Sequence, residues 1–336
     1  MAKLPKILHV IPGEAKGVSM IFAKKQVESL QKAGVNAKIF FLCSRTSPSL
    51  FVKEFQRLRR EMWLFKPDII HAHYGTVTAF CCILATRIPL VITFRGSDLN
   101  PSPAVSWLRK TTGIFLSQLS ALRAKQIICV SDGLKRKLWW RKKAVTVIPS
   151  GIDTSIFYPR SRDVARSELG WDRNERVVLF NAGADPVNKR LDLAEASVEV
   201  ARAICGHVRF VVLDGTVDPQ IVPVLMNASD CLLCTSDMEG SPNIVKEAMA
   251  CNLPVVSVDV GDVRDRLEKV KPSRIVKRNA EELGGVLAEI LQIGGRSDGF
   301  ETIHELSIEK IAMRIISVYQ AVLSERDHKL LKDLEK

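Results

Sequence analysis

No run of apolar residues in this 336-residue chain comes near the ~20 that a bilayer-spanning helix needs. The protein is expected to be soluble, or attached only to a membrane surface. Its start, MAKLPKILHVIP, is charged and its apolar stretch is too short for a signal peptide. A disulfide framework is also missing, although there are eight cysteines. Cys81 and Cys82 are adjacent in an apolar run, and Cys43, Cys129, Cys205 and Cys251 stand singly in hydrophobic surroundings. Cys231 and Cys234 make a lone C-x-x-C in a strand-like run, where residues three apart point to opposite faces. No second pair offers a zinc partner. Packed thiols in a reducing cytoplasm are the expectation. With 19 Gly and 15 Pro the chain is neither collagen-like nor linker-dominated. G-x-G-x-x-G is absent after the first strand, which argues against a dinucleotide enzyme.

What is present is a globular composition, 46% hydrophobic and 26% charged. The length favours two domains, each able to bury its own core. The formal net charge of +12 is divided unevenly. Residues 1–160 hold 26 Lys+Arg and 8 Asp+Glu, a balance of +18, which leaves 23 basic and 29 acidic residues, or −6, for 161–336. A basic half joined to a mildly acidic half points to an anionic partner of the first: nucleic acid, phosphorylated substrate or membrane surface.

Short apolar runs alternate with amphipathic stretches. Strands are expected at 7–11, 37–42, 68–72, 90–94, 126–130 and 144–148, with helices at 18–33, 50–65, 76–86, 103–122 and 132–140. The second half repeats the theme, with strands at 176–180, 208–213, 230–235, 254–258 and 274–277. Its helices fall at 189–204, 219–228, 242–251, 263–268 and 279–293, and a last amphipathic stretch covers 307–324. Near-continuous Val/Ile/Leu runs separated by helices indicate parallel strands covered on both faces. The break falls near 149–159, where turn residues meet the change of charge sign.

Glu239-Gly240-Ser241-Pro242-Asn243, running on to Glu247, follows a strand directly. Pro242 suits a first helical turn, and the small residues around it leave helix-start amides open to an anion. Glu239 before the helix and Glu247 inside it could reach one ligand, or be a loop acid and a solvated helix face. Lys189 and Arg190 are cations for a phosphate, or an ordinary helix start. Gly13 and Gly17 bracket the loop after the first strand, with Gly17 opening a helix or serving a plain turn. His71 and His73 share one strand face; His73, nearer the carboxyl end, is a site candidate or a core histidine. Arg95 and Asp98 follow the strand 90–94. Arg95 holds an acidic group there or pairs with Asp98 as a clamp. No metal cluster is evident.

EGSPNIVKE (239–247) resembles the E-x7-E signature of retaining glycosyltransferases of the GT-B kind, the group 1 or family 4 type. PDIIHAH (67–73), TFRGSD (93–98), the VS pair at 130–131, VIPSGID (147–153) with FYP (157–159), and DPVNKR (185–190) are similar to further motifs of that family, in order. The resemblance implies two Rossmann-like domains facing across a cleft. The first is an acceptor-side domain at 1–155 and the second a nucleotide-sugar domain at 156–306, with a helix at 307–336 crossing back onto the first. It also implies a UDP- or GDP-sugar as donor substrate, no metal and no other cofactor. The donor would lie on Gly17, Lys189, Arg190, Gly240, Ser241, Pro242, Asn243 and Glu247, with Glu239 catalytic at the donor sugar. His73, Arg95 and Asp98 would serve the acceptor side.

Three departures stand out. Ala184 occupies a position where many relatives have Arg. Arg190 replaces a Gly that often follows the Lys, and so becomes a candidate for the missing guanidinium. The region 208–235 is short, which leaves the base contacts open. In the basic half, Lys135, Arg136, Lys137, Trp139, Trp140, Arg141, Lys142 and Lys143 interleave cations with Trp, as an anionic membrane contact would require, or as solvated helix faces with the Trp rings packed in the core would also show. Nucleic acid is not expected. The resulting expectation is a retaining transferase acting on a glycan or lipid-linked acceptor, cytoplasmic or peripheral at the inner membrane face. A sugar-nucleotide epimerase or hydrolase, or a non-catalytic binding protein, is the alternative.

Overall fold

Strand β1 (Lys6–Pro12) is buried from Ile7 to its end, as a strand covered on both faces must be. The computed structural model describes residues 5–15, 19–43 and 48–334. β1 pairs in parallel with β2 (Asn36–Leu42) and β3 (Ile69–His73). The sheet continues through β4 (Leu90–Phe94), β5 (Gln126–Cys129) and β6 (Val145–Val147), giving the order β2-β1-β3-β4-β5-β6. The order reverses between β1 and β3. Right-handed crossovers therefore send helix α1 (Ile21–Lys32) to one face. Helices α2 (Pro48–Phe65), α3 (Thr76–Ala85), α4 (Trp107–Arg123) and α5 (Asp132–Lys137) go to the other, over one shared core that includes Leu58, Cys82, Ala121 and Leu134.

The second sheet has the order β11-β10-β9-β7-β8, again parallel. It is built from β7 (Arg176–Asn181), β8 (Val208–Leu213), β9 (Cys231–Cys234), β10 (Val255–Val258) and β11 (Arg274–Val276). Helix α6 (Arg162–Leu169) precedes it, and α7 (Pro186–Lys189) and α8 (Leu191–Cys205) follow β7. Then come α9 (Val222–Ala228), α10 (Asn243–Ala250), α11 (Val263–Leu267), α12 (Ala280–Ile293) and α13 (Gly299–Thr302). Here the order reverses between β7 and β9, so the segments after those strands flank the switch point. Open α/β sheets bind ligands at such points.

Helix α14 (Ile308–Leu334) returns to the first sheet. Ile311, Ala312, Ile315, Ile316, Tyr319 and Val322 are buried at helical spacing against Ile7, Ile69, Val91 and Ile128. Ser29 Oγ donates to Ile308 O at 3.1 Å, and Arg314 to Val147 O at 2.7 Å. Gly151 permits the approach, since a Cβ there would lie 2.7 Å from Ile308 Cα. The chain divides at Gly151/Ile152 and Ser307/Ile308, with Ser102–Ala104 joining the second unit.

The helix expected at 132–140 ends at Lys137, and the one expected at 103–122 begins at Trp107. Pro101 and Pro103 delay the latter, because proline lacks the amide and restricts the residue before it. Helix α6 was not read from the sequence. It is eight residues long and strongly charged, and the buried side of its first turns is Ala165 with the guanidinium of Arg166. That group pairs with the buried Asp230 at 2.8 Å.

Candidate active site

In the first unit three imidazoles converge where β1 meets β3. His9, His71 and His73 are wholly buried, with ring nitrogens within 4.8 Å of one another. Arg95, just past β4, donates from Nη2 to His73 Nδ1 at 2.7 Å and to Gln26 Oε1 at 2.9 Å, and from Nη1 to Ser150 Oγ at 3.0 Å. Its guanidinium also lies over the Phe22 ring, 4.8 Å from the centroid. Arginine has no acceptor, so the His73 proton must sit on Nε2 and is donated to His9 Nδ1 at 2.8 Å. The His9 proton then falls on Nε2, a buried atom without a partner. His71 bonds Tyr319 Oη of α14 at 2.6 Å and Thr93 Oγ1 at 2.7 Å.

Burial, joined by the Arg95 charge, lowers the pKa of His9 to about 3. It holds His71 and His73 well below the ordinary value, with neighbouring histidines and Arg95 adding to the effect. Arg95 is itself lowered to about 10 by burial. Neutral imidazoles are good ligands, and this is the one His/Cys/Asp/Glu group among the described residues compact enough for a metal ion. Yet both nitrogens of His71 and of His73 are already hydrogen-bonded, and a guanidinium stands where a ligating imidazole would want a carboxylate or carbonyl. Arg95 thus orders the protons of His73 and His9, while His71 is held separately by Tyr319 and Thr93.

Asp98 turns inward. Its carboxylate accepts from the amides of Gly75, Arg95 and Gly96 at 3.0–3.2 Å, and it is 1% exposed. It therefore shapes the loop, does not clamp the Arg95 side chain, and offers nothing to an acceptor. Burial raises its pKa against the pull of those amides. His73 is likewise enclosed, so Arg95, half-buried, is the accessible member of the acceptor-side trio. Gly17 lies outside the described residues.

In the second unit the two motif segments meet. Lys189, at the end of α7, forms an ion pair with Glu239, and the side chains are 20% and 14% exposed. Burial depresses the Lys189 pKa, but the Glu239 charge and hydrogen bond prevail and the net shift is upward. The loops are laced together: Thr235 Oγ1 donates to Lys189 O at 2.7 Å, Asp237 N to Asn188 O at 2.8 Å, and Asn188 Nδ2 to Met238 O at 3.0 Å. Arg190 sits at φ 56°, ψ 54°, the left-handed conformation that favours glycine. It is bound to Asp192 at 2.8–3.2 Å and reaches Asp237 at 3.5 Å. Ala184, where the resemblance leads one to expect Arg, is exposed two residues before α7.

Helix α10 begins at Asn243, one residue later than expected, with Pro242 as its N-cap and no side-chain cap. Gly240 is buried, and Ser241 Oγ donates to Asp262 Oδ2 at 2.9 Å. Glu247, half-buried, lies four residues into the helix. Asp262 follows Gly261, where a Cβ would lie 3.2 Å from Glu239 Cβ. Three acceptors in these loops, Asn188 Oδ1, Asn243 Oδ1 and Asp262 Oδ1, are buried and unpartnered. Buried acceptors without donors are costly unless a ligand supplies them. Sequence reasoning missed Asn188 and Asp262 as candidates, and also Arg278, which pairs with Asp237 and donates to Ser236 O at 2.9 Å. Arg278 lies after β11 in no motif, so no local signal marks it. His9 and Tyr319 were hidden in apolar patterns.

Two parallel-sheet α/β domains of this kind make up the GT-B architecture. Sucrose-phosphate synthase from Thermosynechococcus elongatus superposes with a TM-score of 0.79 at 16% identity, over 95% of this chain and 100% of that one. HepE of Anabaena, solved with UDP and glucose, gives 0.70 at 17% over 94% and 100%. Residues 17–156 match the family model described as Glycosyltransferase Family 4, and residues 165–292 the one described as Glycosyl transferases group 1. The first domain is thus similar to glycosyltransferase family 4 domains and the second to group 1 domains, in that order along the chain. A Bacillus subtilis protein named as a teichuronic acid biosynthesis glycosyltransferase, TuaC, is 26% identical over 239 residues. The match covers 65% of this chain and 59% of TuaC.

Proposed function

We propose that the protein is a retaining, metal-independent glycosyltransferase. It moves a sugar from a UDP- or GDP-sugar to a glycan or lipid-linked acceptor in cell-surface polysaccharide or glycolipid synthesis. The observation that carries this reading is the Lys189–Glu239 pair set among three unpartnered buried acceptors. A nucleoside-diphosphate sugar supplies what each lacks: a diphosphate for the lysine, and hydroxyl donors for the oxygens. In the resting site Lys189 and Glu239 neutralise each other. A bound diphosphate takes over Lys189, leaving Glu239 to the sugar hydroxyls and to the positive charge that develops at the anomeric carbon. Glu247 then binds the ribose, and the α10 amides after Pro242 face the phosphates.

On the acceptor side, Arg95 is the cation that a phosphate or carboxylate of the acceptor meets, held in place by Gln26, Ser150 and His73. Lys135, Lys142, Lys143 and the exposed Trp139 bring the chain to an anionic membrane from the cytoplasmic side. Trp140 packs inward, its Nε1 donating to Gln118 O at 2.7 Å.

A thermal-shift panel of UDP- and GDP-sugars tests the donor site, since a ligand at 100 Kd adds about 2.7 kcal/mol of stability. One nucleotide class should stabilise the chain, and labelled sugar should then pass to an acceptor extract with its anomeric configuration kept. No stabilisation by any sugar nucleotide refutes the reading. Release of an altered sugar nucleotide without acceptor makes the protein an epimerase instead. Arg190→Gly keeps the left-handed backbone and deletes only the guanidinium. If Arg190 stands in for the missing arginine at 184, donor affinity falls about tenfold, one charge-assisted hydrogen bond. Unchanged affinity by calorimetry assigns Arg190 to holding Asp192 and Asp237.

A further inference from the structure

Helix α4 shows an apolar face that no neighbour covers. Its inner side, Ser117, Gln118, Ser120 and Ala121, is buried. Leu108, Phe115 and Leu122 are 67, 55 and 47% exposed, and they recur every seven residues, close to two full turns. They therefore form one outward stripe about 20 Å long. Trp107, 75% exposed, extends it at the start of the helix. At the other end, Arg141 Nη1 donates to Leu122 O at 3.0 Å and Trp139 N to Gln118 Oε1 at 3.0 Å, which seats Trp139, 57% exposed, beside the stripe.

The surroundings of the stripe are cationic. Arg109 and Lys110 flank its start and Arg123 its end, and Arg141, Lys142 and Lys143 follow Trp139, while Lys125 at that end is paired with Glu325 of α14. From residue 69 to residue 131 the sole acidic residue is Asp98, and it is buried. Two occupants suit an uncovered apolar stripe, a second copy or a lipid surface. An isologous dimer sets each patch against itself and would bring these cations together. An anionic bilayer instead takes apolar side chains into its interfacial layer, Trp at headgroup depth and cations at the lipid charges. None of the helices searched among the described residues is long and apolar enough to cross a membrane, so such an attachment would lie in the interface plane.

We propose that the outward face of α4, Leu108, Phe115 and Leu122 with Trp107 and Trp139, docks in the interface of an anionic lipid bilayer. This deepens the membrane reading of the 135–143 segment. It makes the helix the apolar anchor and that segment its electrostatic rim.

Sedimentation of the full chain with vesicles tests it, using phosphatidylcholine alone and phosphatidylcholine mixed with phosphatidylglycerol. Wild type should bind the mixed vesicles, more weakly as salt rises, and should bind phosphatidylcholine poorly. The triple variant Leu108→Ser, Phe115→Ser, Leu122→Ser should bind at least about tenfold more weakly. Its melting temperature and its shift with the sugar nucleotide chosen above should stay the same, since these side chains already face water. That control separates failure of this proposal from failure of the transferase reading. Undiminished binding by the triple variant overturns the proposal. So does undiminished binding of wild type to phosphatidylcholine alone, or a dimer of the wild type that the variant dissolves. If the triple variant fails to fold, Phe115→Ser alone, with loss of the Trp fluorescence blue shift on vesicle addition, decides the matter.

Discussion

Glu239→Gln should lower kcat by about 10²–10³, the 2.7–4 kcal/mol that a preorganised electrostatic group contributes in a water-poor site. The direction of the accompanying change in donor KM is equally specific. In the resting site the Glu239 carboxylate occupies Lys189, and each side chain is about four-fifths buried or more. On the proposed reading, donor binding must break that pair before the ammonium can serve a phosphate. The amide releases Lys189 in advance, so donor KM should hold steady or fall while kcat collapses. Lys189→Ala should show the opposite split, a raised KM with a smaller loss of kcat, because on the proposed reading it removes a phosphate contact made in the ground and transition states alike. Steady-state kinetics of both variants checks this. Equal effects on KM in the two would mean that the pair acts as a structural tether between the loops.

How far the site could be read in advance follows from where its parts lie. Lys189 and Glu239 each sit in a recognisable segment 50 residues apart, and each segment follows a strand at the same switch point. Strand position alone therefore brings them together. All eleven expected strands are present, because near-continuous apolar runs of four to seven residues have few other uses in an α/β chain. The helix boundaries and α6 were less legible. Proline placement and a buried Arg166–Asp230 pair decide them, and neither follows an apolar period.

The histidine group was the least visible feature. His71 and His73 shared a motif, but their partners come from three distant places. His9 belongs to an apolar strand run, Arg95 to a loop after β4, and Tyr319 to the buried side of α14, 248 residues from the histidine it bonds. Only the tertiary fold selects such polar members from apolar patterns. Asp98 shows the converse. It lies in the motif loop beyond a strand's carboxyl end, yet the amides of Gly75, Arg95 and Gly96 draw it inward.

That buried group should make the first unit acid-labile well above the range of carboxylate titration. Folded, His9 stays neutral down to about pH 3, and His71 and His73 are also held far below the ordinary value of 6.5. Unfolded, all three protonate as pH falls through about 6.5. Over that window the unfolded chain binds more protons, so stability rises with pH and is lost on acidification. For His9 alone, about 1.4 kcal/mol per pH unit below the unfolded value removes about 2 kcal/mol between pH 7 and pH 5, and His71 and His73 act in the same direction. A typical domain has only about 5–15 kcal/mol in all, so the loss is a sizeable part of the stability of the unit. Arg95 sharpens the effect, since its guanidinium repels any imidazolium formed beside it. Urea midpoints at several pH values measure the slope. His9→Gln, which cannot charge, should flatten it. Parallel midpoints for wild type between pH 7 and pH 5 would show that the three imidazoles take up protons in the folded protein.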